Sequence, residues 1–193
     1  RPWPLGQAAK TALIRLTRGH RLMPHFGGAR ADRHGRVLAH LTPDDGLWLQ
    51  GEMLARGLAR VYSFADNRTG VREMYAIERR ARADRRGIWG LNYYRVIDES
   101  EANRHVGTFQ LVEGRILKAA VVRRRGYLNF GENWRQDFTI AIPKRALSRF
   151  RAVHGRRLDQ LSGKTVRVRG WLRRYNGPMI EATHPEQIEV LTP

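Results

Sequence analysis

Phe109-Gln110-Leu111-Val112-Glu113-Gly114-Arg115-Ile116-Leu117 decides how the second half of this chain folds. Apolar and polar residues alternate along it with the period of two that sends successive side chains to opposite faces of a strand. Working outward, Tyr127-Leu128-Asn129-Phe130-Gly131 starts a second strand, and Phe138-Thr139-Ile140-Ala141-Ile142-Pro143 makes a third. A short basic helix is predicted near Lys144 to Val153. Two more strands follow, Thr165 to Arg173 and Met179 to Val190, separated by a tight turn at Tyr175-Asn176-Gly177-Pro178.

Five strands with one helix between the third and the fourth is the order of the OB barrel, so residues 105–193 are expected to close into one. Just upstream, the polar stretch 98–104, Asp98-Glu99-Ser100-Glu101-Ala102-Asn103-Arg104, has no apolar periodicity and reads as a linker. Residues 1–97 are then a first domain with a mainly helical pattern. Ala9, Leu13, Ile14 and Leu16 make an apolar face from Gln7 to Arg18, and Gly19 follows where helices commonly stop. Strands are predicted at Arg21 to Phe26 and Arg36 to Leu41, joined by a connection through Gly27, Gly28 and Gly35. A helix from about Leu47 to Arg56 is closed by Gly57, with Leu47, Trp48, Met53 and Leu54 on its buried side. A third runs from about Val71 to Arg86, with Met74, Ile77, Glu78 and Ala81 at helical spacing, and ends at Gly87-Ile88-Trp89-Gly90. The fold class is α+β, mainly β.

With 193 residues, 41% of them hydrophobic, the chain is long enough to bury a core. Its 36 Lys and Arg against 18 Asp and Glu give a formal charge of +18, almost all of the excess being Arg. Both halves share it, with 18 basic against 10 acidic residues up to Ser100 and 18 against 8 beyond. Guanidinium groups bind phosphate bidentately and stack on bases, so the expected partner is nucleic acid, DNA or RNA, single strands above all. Codon bias toward Arg and simple solubility give the same composition without a partner. The absence of Cys excludes disulfides and thiolate metal sites. No apolar run approaches the ~20 residues of a membrane helix, and membrane contact is not expected of this segment.

The most specific stretch is Asp32-Arg33-His34-Gly35-Arg36-Val37-Leu38-Ala39-His40, followed by Gly51-Glu52-Met53-Leu54-Ala55-Arg56-Gly57-Leu58-Ala59-Arg60-Val61-Tyr62. It resembles the thermonuclease (staphylococcal nuclease-like) family, in which an Asp, a basic residue, an aromatic and Gly-Arg precede a strand and a helix ending in Gly-Leu-Ala. Glu78 to Trp89 is similar to that family's closing helix. The likeness covers about Gly6 to Gly90. It implies a nuclease-type OB barrel carrying three helices, with Arg36 on the scissile phosphate as the catalytic cation. It further implies Arg33 and His34 against a terminal phosphate, and Tyr62 and Phe64 lining a base pocket. A guanidinium held by a rigid hairpin suits developing phosphoryl charge. The plainer alternative is that Arg36 pairs with Asp32 or Glu78 and only braces the hairpin.

Half of the site the resemblance implies is missing. The family's general-base Glu, second phosphate-binding Arg and calcium-binding carboxylates lie on three barrel strands before the first helix, and no matching acidic element occurs in this sequence. The domain is therefore expected to be an incomplete barrel, without a metal site of its own. Calcium and phosphodiester hydrolysis are expected only if those strands are encoded upstream. The compartment stays open; a signal removed upstream would place the protein in a bacterial periplasm, outside the cell or on a membrane anchor.

In the second half, Arg123-Arg124-Arg125-Gly126 reads as a basic hairpin tip beside Tyr127, Phe130 and Trp134. Arg167, Arg169, Trp171, Arg173, Arg174 and Tyr175 form a strand with basic residues alternating on one face. Basic grooves with aromatic platforms bind single strands, which makes Arg123, Arg124, Arg125, Arg169, Arg173 and Tyr175 candidate contacts. If Trp171 and Phe130 are instead core, the Arg side chains are a solvated face. The seven His lack the spacing of a metal site. Two functions follow: a thermonuclease-like nucleic-acid-binding protein, or a catalytically inactive tandem OB adaptor, a structural subunit of a larger assembly with protein partners.

Overall fold

The computed structural model describes residues 3–32, 34–155 and 157–191. The chain divides into two compact units, residues 1–95 and 96–193. The class is mixed α+β, with three α-helices in the first unit.

In the first unit these helices are α1 (Gly6–Thr17), α2 (Leu49–Ala55) and α3 (Val71–Ala83), and a two-stranded antiparallel sheet pairs β1 (Leu22–His25) with β2 (His40–Pro43). The second strand starts later than the sequence pattern predicts. Residues 30–38 form their own small hairpin, with Leu38 N donating to Arg30 O and Ala31 bridging Val37, and this delays the strand to His40. Leu54, Val61, Val71 and Tyr75 pack as a core, with Met74 and Ile77 against it. Two glycines make the α2–α3 junction possible. Gly57 and Gly87 have φ of 63° and 52°, and Ile88 N donates to Gly57 O at 2.8 Å. A Cβ on Gly57 would strike Arg86 O, and one on Gly87 would strike Gly57 O.

The expected apolar face of α1 is not buried. No residue of that helix is buried, and Leu13 and Ile14 are about two-fifths exposed. The reason is that the described residues of this unit provide only a two-stranded sheet, whose β1 is itself exposed along its length.

The second unit contains β3 (Ile97–Asp98), β4 (Phe109–Arg115), β5 (Lys118–Val122), β6 (Arg125–Asn129), β7 (Thr139–Ile142), α4 (Leu147–His154), β8 (Thr165–Tyr175), β9 (Gly177–Glu181) and β10 (Ile188–Val190). Neighbours run β3-β4-β8-β9-β7-β6-β5, with β10 beside β8, and the predicted first strand occurs at two places in this path, as β4 beside β8 and as β5 beside β6. The cause lies at Ile116-Leu117. Ile116 N donates to Lys164 O while Leu117 N donates to Asn129 O, so consecutive amides turn to opposite neighbours and the predicted first strand splits into β4 and β5. The predicted last strand also splits, because Pro185 opens a 3-10 turn over Pro185–Gln187. Phe150, Ile116, Leu128, Ile140, Ile142, Val166, Leu172 and Ile180 fill the core at 1% exposure or less.

The segment expected as a linker is built structure. Residues Glu99–His105 form a 3-10 helix behind a capping box at Asp98, and Ala102 is fully buried in the core. Polar composition hides this from periodicity, since only one side chain of the turn faces inward. Among the described residues, no helix is long and apolar enough to cross a membrane.

Candidate nucleic-acid interface

Asp32 organises the first cluster. Its Oδ1 accepts from the backbone N–H of His34 (2.8 Å) and of Arg36 (3.0 Å), and its Oδ2 accepts from Arg36 Nε (2.6 Å). Gly35, at φ 75°, supplies the left-handed step that closes the turn. The Arg36 backbone N–H first of all, then its guanidinium and the His34 N–H, hold the Asp32 carboxyl down at about 2. Arg36 is thus tethered through one nitrogen, its side chain is 76% exposed, and no partner for its terminal nitrogens is found among the described residues. The bracing alternative is correct as far as Asp32 goes. Glu78 is engaged elsewhere: it is fully buried, accepts from Val61 N at 2.7 Å and lies 3.8 Å from Arg82. Arg33 lies outside the described residues.

Tyr62 and Phe64 are brought together, edge to face at 4.8 Å, with Tyr62 half exposed. Their loop is clamped to the one preceding Arg36. Thr69 Oγ1 donates to Gly27 O (2.8 Å), Ala29 N donates to Asp66 O (3.2 Å), and Gly28 bridges Asn67 so closely that a Cβ there would strike Asp66 O. Arg30 stacks over exposed Phe26 at 4.8 Å, a cation–π pair that no spacing rule picks out of the sequence.

The carboxylates do not fit a calcium cage. Asp44 is bound to His20 (2.5 Å), Asp45 to Leu47 N (3.0 Å) and Glu52 to Arg56 (2.6 Å). No group of three His, Cys, Asp or Glu able to hold a metal occurs among the described residues. A calcium ion takes six to eight oxygens, which these three carboxylates, each already bonded, do not supply. His40 is structural: its Nδ1 accepts from Trp48 Nε1 (3.2 Å) and its Nε2 donates to Thr69 O (3.1 Å).

In the second unit the basic residues separate into two groups. Arg123 and Arg124 occupy the tip between β5 and β6, exposed and both left-handed at φ 47° and 65°. Arg125 instead lies in β6 and pairs with Glu181 at 3.2 Å. On β8, Arg167 pairs with Glu113 at 2.8 Å. Arg169 is corrected as a candidate contact: it is only 2% exposed and is bound to Glu189 at 2.9 Å, because the face that alternation assigns to it is covered. Beyond it the same face opens, with Trp171 (46% exposed), Arg173 and Tyr175 (67%) in alternation. Phe130 is core, whereas Trp171 meets Phe109 edge-on at 6.2 Å and stays accessible. Trp134 adds an exposed ring outside the expected set of contacts. It is half exposed under Arg135, on a loop tied by Asn133 N to Asp137 Oδ2 at 2.8 Å.

Residues 3–90 match the model of the staphylococcal nuclease homologue family. The match connects the chain to nuclease and nucleic-acid-related function. No curated protein matches the chain.

Proposed function

We propose that the chain binds single-stranded nucleic acid, DNA or RNA, through phosphate contacts at Arg36 and a basic, aromatic edge of the second unit. The observation that carries this reading is the posture of Arg36. One nitrogen is spent on Asp32, and an exposed fork is left on a turn whose geometry is fixed before any ligand arrives. Tyr62 with Phe64, and Trp171 with Tyr175, supply ring faces of the kind on which bases stack. Phosphodiester hydrolysis requires a base and metal ligands from outside the described residues. Occupied carboxylates favour a second reading, a catalytically inactive adaptor in a larger assembly.

Fluorescence anisotropy of a labelled oligonucleotide across a salt series tests the proposal. About six phosphate contacts give a log–log slope of about −0.7 per contact for single strands. Replacing Arg123 and Arg124 together flattens the slope, Arg36→Ala removes about one contact's share, and Tyr175→Ala weakens binding at every salt concentration. A dissociation constant weaker than about 10⁻⁴ M at low salt leaves the adaptor reading. With calcium added, the chain shows no cleavage above background; calcium-dependent cleavage abolished by Arg36→Ala overturns that expectation.

A further inference from the structure

A cleft of about 180 Å³ opens in the second unit between the 3-10 helix at 99–105, the loop from β6 to β7, and the start of β9. Glu99, Asn103, Gln136 and Asp137 give it a polar rim, and Phe138 and Pro178 an apolar wall. Its frame is fixed. The capping box ties Asp98 to Ser100 (3.0 Å) and Glu101 to Asp98 N (3.2 Å), and Asn133 N holds Asp137. Glycines keep the walls close: a Cβ on Gly114 would strike the Glu99 carboxylate, one on Gly131 the Asp137 carboxylate, and one on Gly177 the backbone of Gln136 and Asp137.

The hydrogen-bonding capacity left over is specific. Asn103 Oδ1 accepts from Arg174 Nη2 at 2.9 Å, which leaves the Asn103 amide nitrogen to donate. Ser100 Oγ is spent on Asp98 (2.6 Å), and Asp137 Oδ2 on Asn133 N. Glu99 is half-buried, and burial first of all, then the adjacent Asp98 carboxylate, pushes its carboxyl up; that carboxyl already meets the Asp98 side chain and its own backbone N–H, and accepts through its remaining lone pairs. Of the rim's groups, the Glu99 carboxyl as acceptor and the Asn103 amide nitrogen as donor stand on one turn beside the apolar wall, and that pair matches a planar heterocycle whose edge pairs an amino group with a ring nitrogen. Cytosine and adenine present such an edge. The volume is below that of sites for drug-sized ligands, which suits one base rather than two. Arg174 ties the cleft to β8, where Arg173 and Tyr175 lie exposed on either side of it.

We infer that this cleft receives a single unpaired amino-bearing base, cytosine or adenine, its amino group donating to Glu99 and its ring nitrogen accepting from Asn103. The inference rests on the single-strand reading above and gives it a base preference.

The test uses the full chain with two probes, twelve-residue homopolymers in the anisotropy assay and free nucleosides at millimolar concentration by saturation-transfer NMR. The wild type is expected to bind dC and dA strands about tenfold more tightly than dT strands, one good hydrogen-bonded pair's worth of discrimination. Cytidine and adenosine, but not uridine, show saturation transfer. Glu99→Met removes the acceptor and with it the preference, and leaves the salt slope unchanged, since no phosphate contact is lost. Ser100→Trp, which fills the cleft while keeping the Ser100 backbone N–H of the cap, does the same; thermal melting confirms that both variants fold. Strand binding with no base preference, or a preference that survives both variants, overturns the cleft while the single-strand reading stands. Nucleoside binding without strand binding keeps the cleft and overturns the strand reading. Saturation transfer from spermidine, with none from cytidine, overturns the base assignment in favour of a simple amine.

Discussion

The two units are nearly equal in length, yet they protect their apolar residues very differently. In residues 96–193 one continuous cluster, from Ile97 to Ile188, draws on nearly every strand and on α4, and many of its members have no measurable exposure. In residues 1–95 a cluster of Leu54, Val61, Val71 and Tyr75 sits between α2 and α3, while α1 and β1 contribute no buried residue. A helix of 12 residues and a two-stranded sheet are each marginal in water without a packed face. The second unit is thus stabilised by a side-chain core. The first depends more on backbone fit, as where Gly57 meets Gly87, and on local polar clamps such as Asp32 and Glu78.

Four measurements probe this contrast. The largest effect is expected from Phe150→Ala, which empties a fully buried site in the second unit and should cost about 3–5 kcal/mol in urea unfolding. A loss below about 1 kcal/mol would mean that the core is not the continuous body described. Next is Gly57→Ala, where a left-handed φ and the nearby Arg86 carbonyl both oppose a Cβ, for a loss of roughly 2 kcal/mol or more. Unchanged stability there would remove the case for backbone fit in the first unit. Leu13→Ala on α1 is expected to change stability by no more than about 0.5 kcal/mol. A penalty typical of a core leucine would show that α1 is packed in solution.

The smallest effect concerns Asp32. Its folded pKa is depressed, so its contribution to the turn is present above the ordinary carboxylate range and is lost as pH falls through about 2. Carboxyl NMR titration should place its midpoint near that value. In Arg36→Ala the midpoint should rise only part of the way to normal, because the backbone N–H of residue 36 still donates to Oδ1. An ordinary midpoint in the parent protein would refute the tether.

The sequence was most legible where punctuation and pattern agree. Gly57 and Gly87 mark the ends of α2 and α3 because the junction admits no Cβ, and the Asn176-Gly177 turn falls where β8 meets β9. Alternation located β8 but misjudged Arg169, since a period of two assigns a face without saying what lies over it. Strand continuity was overestimated at Ile116-Leu117, where the break comes from a choice of hydrogen-bond partner that side-chain pattern does not encode. The cluster around Arg36 was legible through its resemblance to known nucleases. The cleft beside Glu99 was not, because its residues come from three separated segments and the segment holding Glu99 is polar enough to pass for a linker.

The two arginines at the β5–β6 tip have a consequence for proteolysis. Trypsin takes its substrate extended, and a pair of arginines in left-handed conformation between paired strands cannot be threaded into such a groove. Cleavage after Arg123 or Arg124 therefore waits for the hairpin to open. When opening and closing are fast relative to cutting, the nicking rate follows the open fraction, so an ordinary digestive enzyme becomes a meter for the fraying of one edge of the sheet.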